Sequence, residues 1–402
     1  MSNLDKALCE IVAHAYTHAP AFKNMMDDRG MTPDAVQTVA DLSKLPVTGK
    51  EKLLQMQQKQ PPFGGWLAVP MTQLQRIHFS PGMIYNPQAF GDDNGAQVVR
   101  DAFKSAGLQA GDIALNTFLY HMVPAGLWLD EGLKLTGMTV IPIGPGNTDR
   151  LIDVMMAVQV NTYIGTPSYL ERIYTRAGQM DILPDAIPLR KAFFSAEPYL
   201  AAQRKKFEGE YGLRTSQAYA TADLGLIAYE TPGKPGFRLA ETMVVEIADP
   251  ESGQALPDGE VGEVVVTTFN RAFPLIRFGT GDLGITETDD EGERRLKGLV
   301  GRTSEAVKVR GTFLHPNQVR SLANTFPQIK HISTVITRES AQDCLKVQIE
   351  LFEEHLPADQ EEFSDYFGAA FKQGAHLEAD QIEFVGAGTI QPGAKLVKDE
   401  RR

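Results

Sequence analysis

The residue types best suited to chemistry lie between positions 274 and 311, in the run PLIRFGTGDLGITETDDEGERRLKGLVGRTSEAVKVRG. Arg277, Thr280 and Asp282 follow an apolar stretch there, at the kind of strand end where open α/β sheets place their ligand sites. Asp282, directly after a glycine, is suited to accept hydrogen bonds from a ribose diol. A surface hairpin with solvated charges is the alternative that spacing alone leaves open.

Alternating helical and strand patterns must position this run. Before it, helices are predicted at 97–106, 126–135 and 149–158, and strands at 112–118, 138–143 and 161–165. Such alternation implies a mostly parallel sheet covered by helices on both faces. The predicted fold class is α/β, with a large N-terminal domain at 1–302, a barrel-like β subdomain at about 235–302, and a small mobile α+β domain at 303–402.

Composition narrows the classes of function. A chain of 402 residues exceeds what one hydrophobic core normally organises, which favours two domains or more. Its 39 Lys and Arg against 51 Asp and Glu give a net charge of -12, which argues against non-specific binding of nucleic acid or an anionic membrane. With two distant cysteines, no basic and apolar leader and no run of 18 apolar residues, the chain is expected to be cytoplasmic.

Two motifs carry a resemblance to a known family. PLIRFGTGDL and GRTSEAVKVRGTFLHPNQV are similar to paired motifs of the adenylate-forming superfamily, which includes acyl-CoA synthetases, luciferases and peptide-synthetase adenylation domains. The phenylacetate-CoA ligase branch is the most similar. The resemblance implies that Asp282 binds the ribose of ATP, Arg302 contacts the nucleotide, and Ser304 is the hinge, where the family usually has an acidic residue. The ending TIQPGAKLVKDERR resembles the loop whose lysine enters the site, which makes Lys395 the candidate catalytic residue.

Further motifs imply an adenine and metal site. The turn Ser195-Ala196-Glu197-Pro198 is similar to the family's Gly-Ala-Glu-Pro turn, whose backbone lies against adenine. The run QAYATADLGLIAYE occupies the place of the Tyr-Gly-X-Ser/Thr-Glu motif. It implies that Tyr219 stacks on adenine, that Ala220 and Thr221 line the nucleotide site, and that Asp223 holds Mg²⁺. Ala222 stands where the family has a hydroxyl.

The run YIGTPSYL looks like the segment that walls the acyl pocket in this branch. The resemblance assigns that role to Tyr163, Gly165, Thr166 and Pro167. A plain βαβ core explains the same buried strand equally well, so both interpretations stay open at this point.

The phosphate-binding loop is the place where the chain departs most from the family. Its counterpart, RIHFSPGMIYNP at 76–87, keeps only Ser80, Gly82 and Pro87 of the usual pattern. Apolar or aromatic residues replace hydroxyls and glycines, and Asn86 takes the lysine position. Hydrogen bonds to charged groups contribute roughly 1.5–3 kcal/mol each, so these losses are expected to weaken binding of a triphosphate.

The function implied is that of an AMP-forming carboxylate-CoA ligase. It would activate a small acid, aromatic or otherwise, with ATP and Mg²⁺, and pass the acyl group to CoA or another thiol. The alternative is a ligase-fold protein that binds nucleotide or acyl-adenylate without efficient adenylation. Neither nucleic acid nor membrane is an expected partner, and formation of a homodimer stays open.

Overall fold

The computed structural model describes residues 2–80, 82–92, 94–250, 252–260, 262–303, 307–310, 312–314, 316–339, 342–353, 360–375, 377–391 and 393–401. The chain divides into two compact units, Met1–Gly301 and Arg302–Arg402, each with its own apolar core. The two units are described separately below as the large and the small unit.

The helices of the large unit are α1 Asn3–His18, α2 Pro20–Asp27, α3 Lys50–Lys59, α4 Asn94–Ser105, α5 Ala125–Thr136, α6 Thr148–Val158, α7 Pro167–Gln179 and α8 Ala201–Arg204, and a π-helical turn, Lys205–Glu210, follows α8. The strands are β1 Thr48–Gly49, β2 Leu74–Phe79, β3 Tyr85–Ala89, β4 Ile113–Asn116, β5 Thr139–Ile141, β6 Thr162–Gly165, β7 Lys191–Phe194, β8 Arg214–Thr221, β9 Gly225–Glu230, β10 Phe237–Leu239, β11 Met243–Ala248, β12 Gly262–Thr268, β13 Phe278–Thr288 and β14 Arg294–Arg302. None of the described helices is long and apolar enough to cross a membrane.

One mixed sheet organises the large unit. Its first part runs β5-β4-β6-β7-β8, and these neighbours pair in parallel. The order continues β9-β10-β14-β13-β12-β11, where β8 and β9, β9 and β10, and β10 and β14 are antiparallel. The β-rich segment expected at about 235–302 therefore extends the same sheet. The strand direction changes between β8, which is parallel to β7, and β9, which is antiparallel to β8. The candidate site lies at the strand ends near this change.

A two-residue strand brings a distant segment next to β13. Thr48 and Gly49 pair in parallel with Phe278 and Gly279, and the Thr48 N–H donates to the Arg277 carbonyl over 2.9 Å. Helix α3 begins immediately afterwards at Lys50. The pairing therefore fixes the position of Lys50, the first residue of α3, relative to strand β13, which contains Asp282.

Arg277 has a structural role, which corrects its grouping with Asp282. Its side chain is 1% exposed, pairs with Glu246 at 3.1 Å, and donates to the carbonyls of Leu45 at 2.6 Å and Gly253 at 2.8 Å. A buried guanidinium needs such partners to offset its loss of water, so it has none to spare for a ligand. Thr280 also turns inward, donating to the Val264 carbonyl over 2.8 Å.

The described residues of the small unit form a four-stranded sheet, two helices and a short hairpin. Its strands are β15 Val307–Val309, β16 Thr312–Leu314, β17 Ile329–Glu339, β18 Gln342–Leu351, β19 Gln381–Phe384 and β20 Val397–Asp399, and its helices are α9 Pro316–Thr325 and α10 Gln360–Ala375. The sheet order is β19-β18-β17-β20. Helix α10 buries Phe363, Phe367 and Phe371, which recur at four-residue spacing and therefore lie on one face.

Candidate nucleotide and acyl site

The candidate site lies where β6, β7 and β8 end. The three strands are parallel neighbours, so the turns that follow them meet at one edge of the sheet. Most of the predicted ligand residues of the large unit lie in these turns or at the end of β8. Open α/β sheets bind ligands at the carboxyl ends of their strands, where the strand order or direction changes.

The two predicted nucleoside residues are in direct contact. The Tyr219 hydroxyl donates to Asp282 Oδ2 over 2.8 Å, although the two positions are 63 residues apart. Tyr219 is buried in β8, and the Asp282 N–H is held by Thr280 Oγ1 at 3.1 Å. An aromatic ring and a carboxylate thus lie side by side, in a geometry suited to a base and its ribose.

The predicted adenine turn follows β7. Ser195 is buried and donates through Oγ to the Ala218 carbonyl at 2.9 Å, which ties the turn to β8. Ala196 has φ 73, a left-handed conformation that is strained for a residue with a side chain. The Glu197 carboxylate accepts from the Ser168 N–H at 2.6 Å and from its hydroxyl at 2.9 Å. The Glu197 carboxylate is therefore anchored to the first turn of α7, where the helix dipole favours an anion. Pro198, the last residue of the turn, is exposed.

The predicted acyl residues form the junction between β6 and α7. Tyr163 is 0% exposed, and its hydroxyl donates to the Thr166 carbonyl over 3.0 Å. Burial raises the pKa of the Tyr163 phenol, so it stays protonated. A β-carbon at Gly165 would collide with the hydroxyls of Thr117 and Tyr163, which explains the glycine. The Thr166 hydroxyl oxygen caps α7 by accepting from the Tyr169 N–H at 3.3 Å, and Pro167 is the first residue of that helix.

The counterpart of the phosphate loop is a β-hairpin made by β2 and β3. Its turn is closed by the Ser80 N–H, which donates to the Ile84 carbonyl at 2.9 Å, while Met83 takes a left-handed φ of 65. Asn86, in the position where the family has lysine, donates to Asp223 Oδ1 at 3.1 Å. The hairpin therefore touches the predicted metal residue through an amide.

Lys50 joins this cluster, although the sequence analysis did not single it out. Its Nζ lies 3.5 Å from Asp223 Oδ2, as an ion pair without hydrogen-bond geometry, and the Asp223 side chain is only 1% exposed. A lysine at the first position of a helix opposes the helix dipole and needs an anion nearby. The run DLSKLPVTGKEK, which contains Lys50, resembles an early segment of the family, a turn before a short helix, but its spacing and residue types do not indicate a chemical role.

Glu263 brings a further carboxylate to the nucleoside side. Its Oε1 accepts from the Gly281 N–H at 2.9 Å. Burial, followed by the negative charge of Asp282, raises the pKa of Glu263, while the Gly281 N–H and the Lys50 ammonium oppose that shift. Lys50 therefore acts electrostatically on both Asp223 and Glu263.

Several buried polar atoms around the hairpin lack a hydrogen-bond partner within the described ranges. They are Thr48 Oγ1, Ser80 Oγ, Asn86 Oδ1 and Asp223 Oδ2. Buried polar groups are nearly always hydrogen-bonded, so such a concentration is typical of a site completed by water or a ligand. The described part of the chain contains no group of three or more His, Cys, Asp or Glu able to hold a metal ion. Asp223 thus fits only a Mg²⁺ completed by phosphate oxygens and water, the usual arrangement in nucleotide sites.

The remaining predicted residues are placed as follows. Thr221 Oγ1 accepts from the Leu224 N–H at 3.3 Å, and Ala220 follows a bulge in the pairing of β8 with β9. Arg302 ends β14 and is exposed, as is Lys395, whose carbonyl accepts from Ser333 Oγ at 3.0 Å. Ser304 lies outside the described residues.

Comparison with known proteins assigns the chain to a family. It is 30% identical over 352 residues to the phenylacetate-coenzyme A ligase of Aromatoleum evansii, covering 85% of this chain and 79% of that protein. It is 30% identical over 367 residues to the enzyme of that name from Escherichia coli, with 87% and 82% covered. The chain belongs to the phenylacetate-CoA ligase family. None of the protein-family models compared with it matches.

A solved structure supports the fold independently. A 2-hydroxyisobutyryl-CoA ligase in complex with 2-HIB-AMP and CoA superposes with a TM-score of 0.91 at 23% identity, covering 99% of this chain and 89% of that one. The predicted resemblance and fold class are therefore confirmed. Members of the phenylacetate-CoA ligase family are AMP-forming acid-CoA ligases that use ATP, CoA and a carboxylic acid, and this confirms the predicted function and enzyme class at family level. No finding supports the alternative of an inactive ligase-fold protein.

Proposed function

We propose that this ligase activates a small aromatic acid of the phenylacetate type as an acyl-adenylate and transfers the acyl group to CoA. The names of its relatives suggest this substrate class. One observation supports the adenylation step most strongly: the buried side chains of Asp223 and Asn86, which retain unsatisfied acceptors, form a polar cluster with the partly exposed Lys50.

The proposed reaction has two steps. A carboxylate oxygen of the acid attacks the α-phosphorus of ATP, the bond from that phosphorus to the bridging oxygen breaks, and pyrophosphate leaves. The CoA thiol then loses its proton to solvent, its sulfur attacks the acyl carbon, and AMP leaves as the carbon–oxygen bond breaks. Negative charge grows on phosphate oxygens in the first step, so catalysis depends mainly on positioned cations and dipoles.

On the nucleoside side, we assign Tyr219 to the adenine and Asp282 to the ribose. The backbone of Ser195, Ala196, Glu197 and Pro198 would lie along the base, and Ala220, Thr221 and Arg302 would contact the nucleotide. The anchoring of Glu197 to α7 and of Ser195 to β8 supports this assignment, because both fix the turn before a ligand arrives.

On the phosphate side, we assign to Lys50 the cationic role that the loop lysine has in the family. Its side chain is 40% exposed and starts beside the buried Asp223, so the ammonium can reach from that carboxylate to a phosphate oxygen. Ser80 Oγ is positioned to donate a hydrogen bond that no described residue accepts. Bound Mg²⁺ would neutralise phosphate charge, with Asp223 as its protein ligand.

The two remaining predicted residues, Lys395 and Ser304, belong to the second part of the chain, from residue 302 onward. We assign Lys395 to stabilising charge during adenylation and Ser304 to the hinge. For the acid, we propose a pocket walled by the Tyr163–Pro167 junction. We further propose a cytoplasmic enzyme whose partners are small molecules; gel filtration with light scattering would decide between a monomer and a homodimer.

A single-turnover assay tests the proposal. The enzyme is mixed with ATP, Mg²⁺, CoA and one of a panel of arylacetic, benzoic and short aliphatic acids, and the products are followed by mass spectrometry. Acyl-adenylate should appear before acyl-CoA, and an arylacetic acid should give the fastest turnover. The proposal is wrong if no acid yields AMP, or if a short aliphatic acid is preferred throughout.

A further inference from the structure

A fully buried carboxylate in the small unit suggests an additional role. Glu350 lies in β18 with its side chain 0% exposed. Its Oε2 accepts from the Ile390 N–H at 3.3 Å, and its Oε1 lies 3.1 Å from Lys330 Nζ. The backbone N–H of Gly388 is the largest cause that lowers the pKa of the Glu350 carboxyl, with Lys330 and the Ile390 N–H acting in the same direction, so the side chain is charged at neutral pH.

The Ile390 N–H that Glu350 accepts from belongs to the segment leading to Lys395. Gly388 has φ 78, a left-handed conformation, and Ile390 is buried, so this part of the segment has a defined course. On the other side of the segment, Ser333 Oγ donates to the Lys395 carbonyl. The backbone around the lysine is therefore fastened to the sheet before and after it.

Thr334 strengthens the second attachment. Both its N–H and its hydroxyl donate to the Leu396 carbonyl at 2.8 Å, and the side chains of Ser333 and Thr334 are completely buried. Strand β20 then continues in parallel to β17 from Val397. These contacts leave the Lys395 side chain exposed while they fix its backbone.

The Glu350–Lys330 ion pair is a weak source of stability, because burial removes the Glu350 carboxylate from water while the Lys330 side chain is 39% exposed, where solvent screens the attraction. Apolar side chains would fill the interior of this sheet at least as well. Charged acceptors bind N–H groups more strongly than neutral ones do, at roughly 1.5–3 kcal/mol per bond. The charge of Glu350 is therefore better explained by its hydrogen bond to the backbone of the segment that leads to Lys395.

We propose that Glu350 is a positioning residue for Lys395, which holds the preceding backbone through the Ile390 N–H and thereby supports adenylation without taking part in thioester formation. The inference rests on the proposed function, in which Lys395 acts in the first step only. It predicts a defect confined to one of two steps, which loss of folding or of general stability would not produce.

The test compares Glu350→Gln with the unmodified full-length enzyme in two assays. One is exchange of labelled pyrophosphate into ATP with phenylacetate, and the other is acyl-CoA formation from chemically prepared phenylacetyl-adenylate and CoA. We expect exchange to fall at least tenfold and thioester formation to change less than twofold. Amide hydrogen exchange in peptides covering 386–396 should become faster. Equal losses in both assays, or no loss in either, would overturn the inference.

Matched variants separate this inference from the proposed function. Glu383→Gln removes a carboxylate of the same sheet that contacts Gln348 and Lys346 and should leave both assays unchanged. Lys395→Ala should abolish exchange selectively; if it does not, the proposed role of the lysine fails first. If Lys395→Ala behaves as expected while Glu350→Gln does not, only the positioning role is wrong. Should Glu350→Gln fold poorly, Glu350→Asp retains the charge and must still show the selective loss.

Discussion

The nucleoside side and the phosphate side of the site are built in opposite ways. Tyr219 and Asp282 satisfy each other through a 2.8 Å hydrogen bond, and their sequence context matches the family closely. Around the hairpin the family's hydroxyls and lysine are replaced, and Ser80, Asn86 and Asp223 each retain a buried polar atom without a hydrogen-bond partner within the described ranges. One side is complete without a ligand, whereas the other is completed only by water or a ligand.

In the proposed function, a lysine from elsewhere in the fold takes the place of the loop lysine. Lys50 reaches Asp223 from a segment 173 positions away, because β1 pairs with β13. Since phosphate oxygens are bound largely by charge, the source of the positive group matters less than its location. Loss of the loop lysine therefore does not by itself mean loss of adenylation.

The largest expected effect comes from removing that cation. Lys50→Met should lower adenylation by a hundredfold or more, because charge develops on the phosphates in the transition state. The affinity for AMP, measured by calorimetry, should change less than threefold. Lys44→Met, which removes another lysine of the same segment, serves as the control because Lys44 pairs with Asp41 instead. Equal losses of adenylation in Lys50→Met and Lys44→Met would contradict a role for Lys50 in the site.

A smaller effect is expected on the nucleoside side. Asp282→Ala should weaken AMP and ATP equally, by about 10- to 100-fold, since hydrogen bonds to a charged group contribute roughly 1.5–3 kcal/mol. Tyr219→Phe keeps the aromatic ring and should weaken the binding of AMP and ATP much less. A loss of affinity confined to ATP would place Asp282 on the phosphate side and contradict the distinction between the two sides.

The alternating elements of the parallel sheet could be predicted from the sequence, because periodicity and turn chemistry are local properties. The roles of Tyr219 and Asp282 stay predictions, although the structure brings these two residues of separate motifs into contact. Sequence reasoning missed Lys50, whose position is decided by a two-residue strand pairing with a strand more than two hundred residues later. It also misplaced Arg277, because sequence alone does not show that Glu246 and two carbonyls occupy its guanidinium.

Restoring the loop lysine tests the phosphate side from the other direction. Asn86→Lys should tighten ATP binding by about three- to tenfold at low salt and leave AMP binding unchanged, since the new ammonium would face the triphosphate. Asn86→Met, of similar length but uncharged, controls for the loss of the Asn86–Asp223 hydrogen bond. Equal ATP affinity in both variants would mean that the hairpin does not face the phosphates.

The smallest expected effect concerns pH. Because the pKa of Glu263 is raised from its ordinary 4.5 by burial and by Asp282, the folded protein binds this proton more tightly than the unfolded chain does. The stabilisation is complete below pH 4.5 and is lost as pH rises through the raised pKa. Glu263→Gln should therefore increase the melting temperature relative to the unmodified protein at pH 7, and the gain should shrink toward pH 4.5. A gain independent of pH would contradict the assignment.

The role of Lys50 in adenylation is tested by acid-dependent exchange of labelled pyrophosphate into ATP, measured side by side for the unmodified enzyme and Lys50→Met. We expect exchange with an arylacetic acid for the unmodified enzyme and at least a hundredfold less for the variant. Undiminished exchange in Lys50→Met would contradict the claim that Lys50 provides the cation of the altered phosphate side, and no exchange in either protein would contradict adenylation itself.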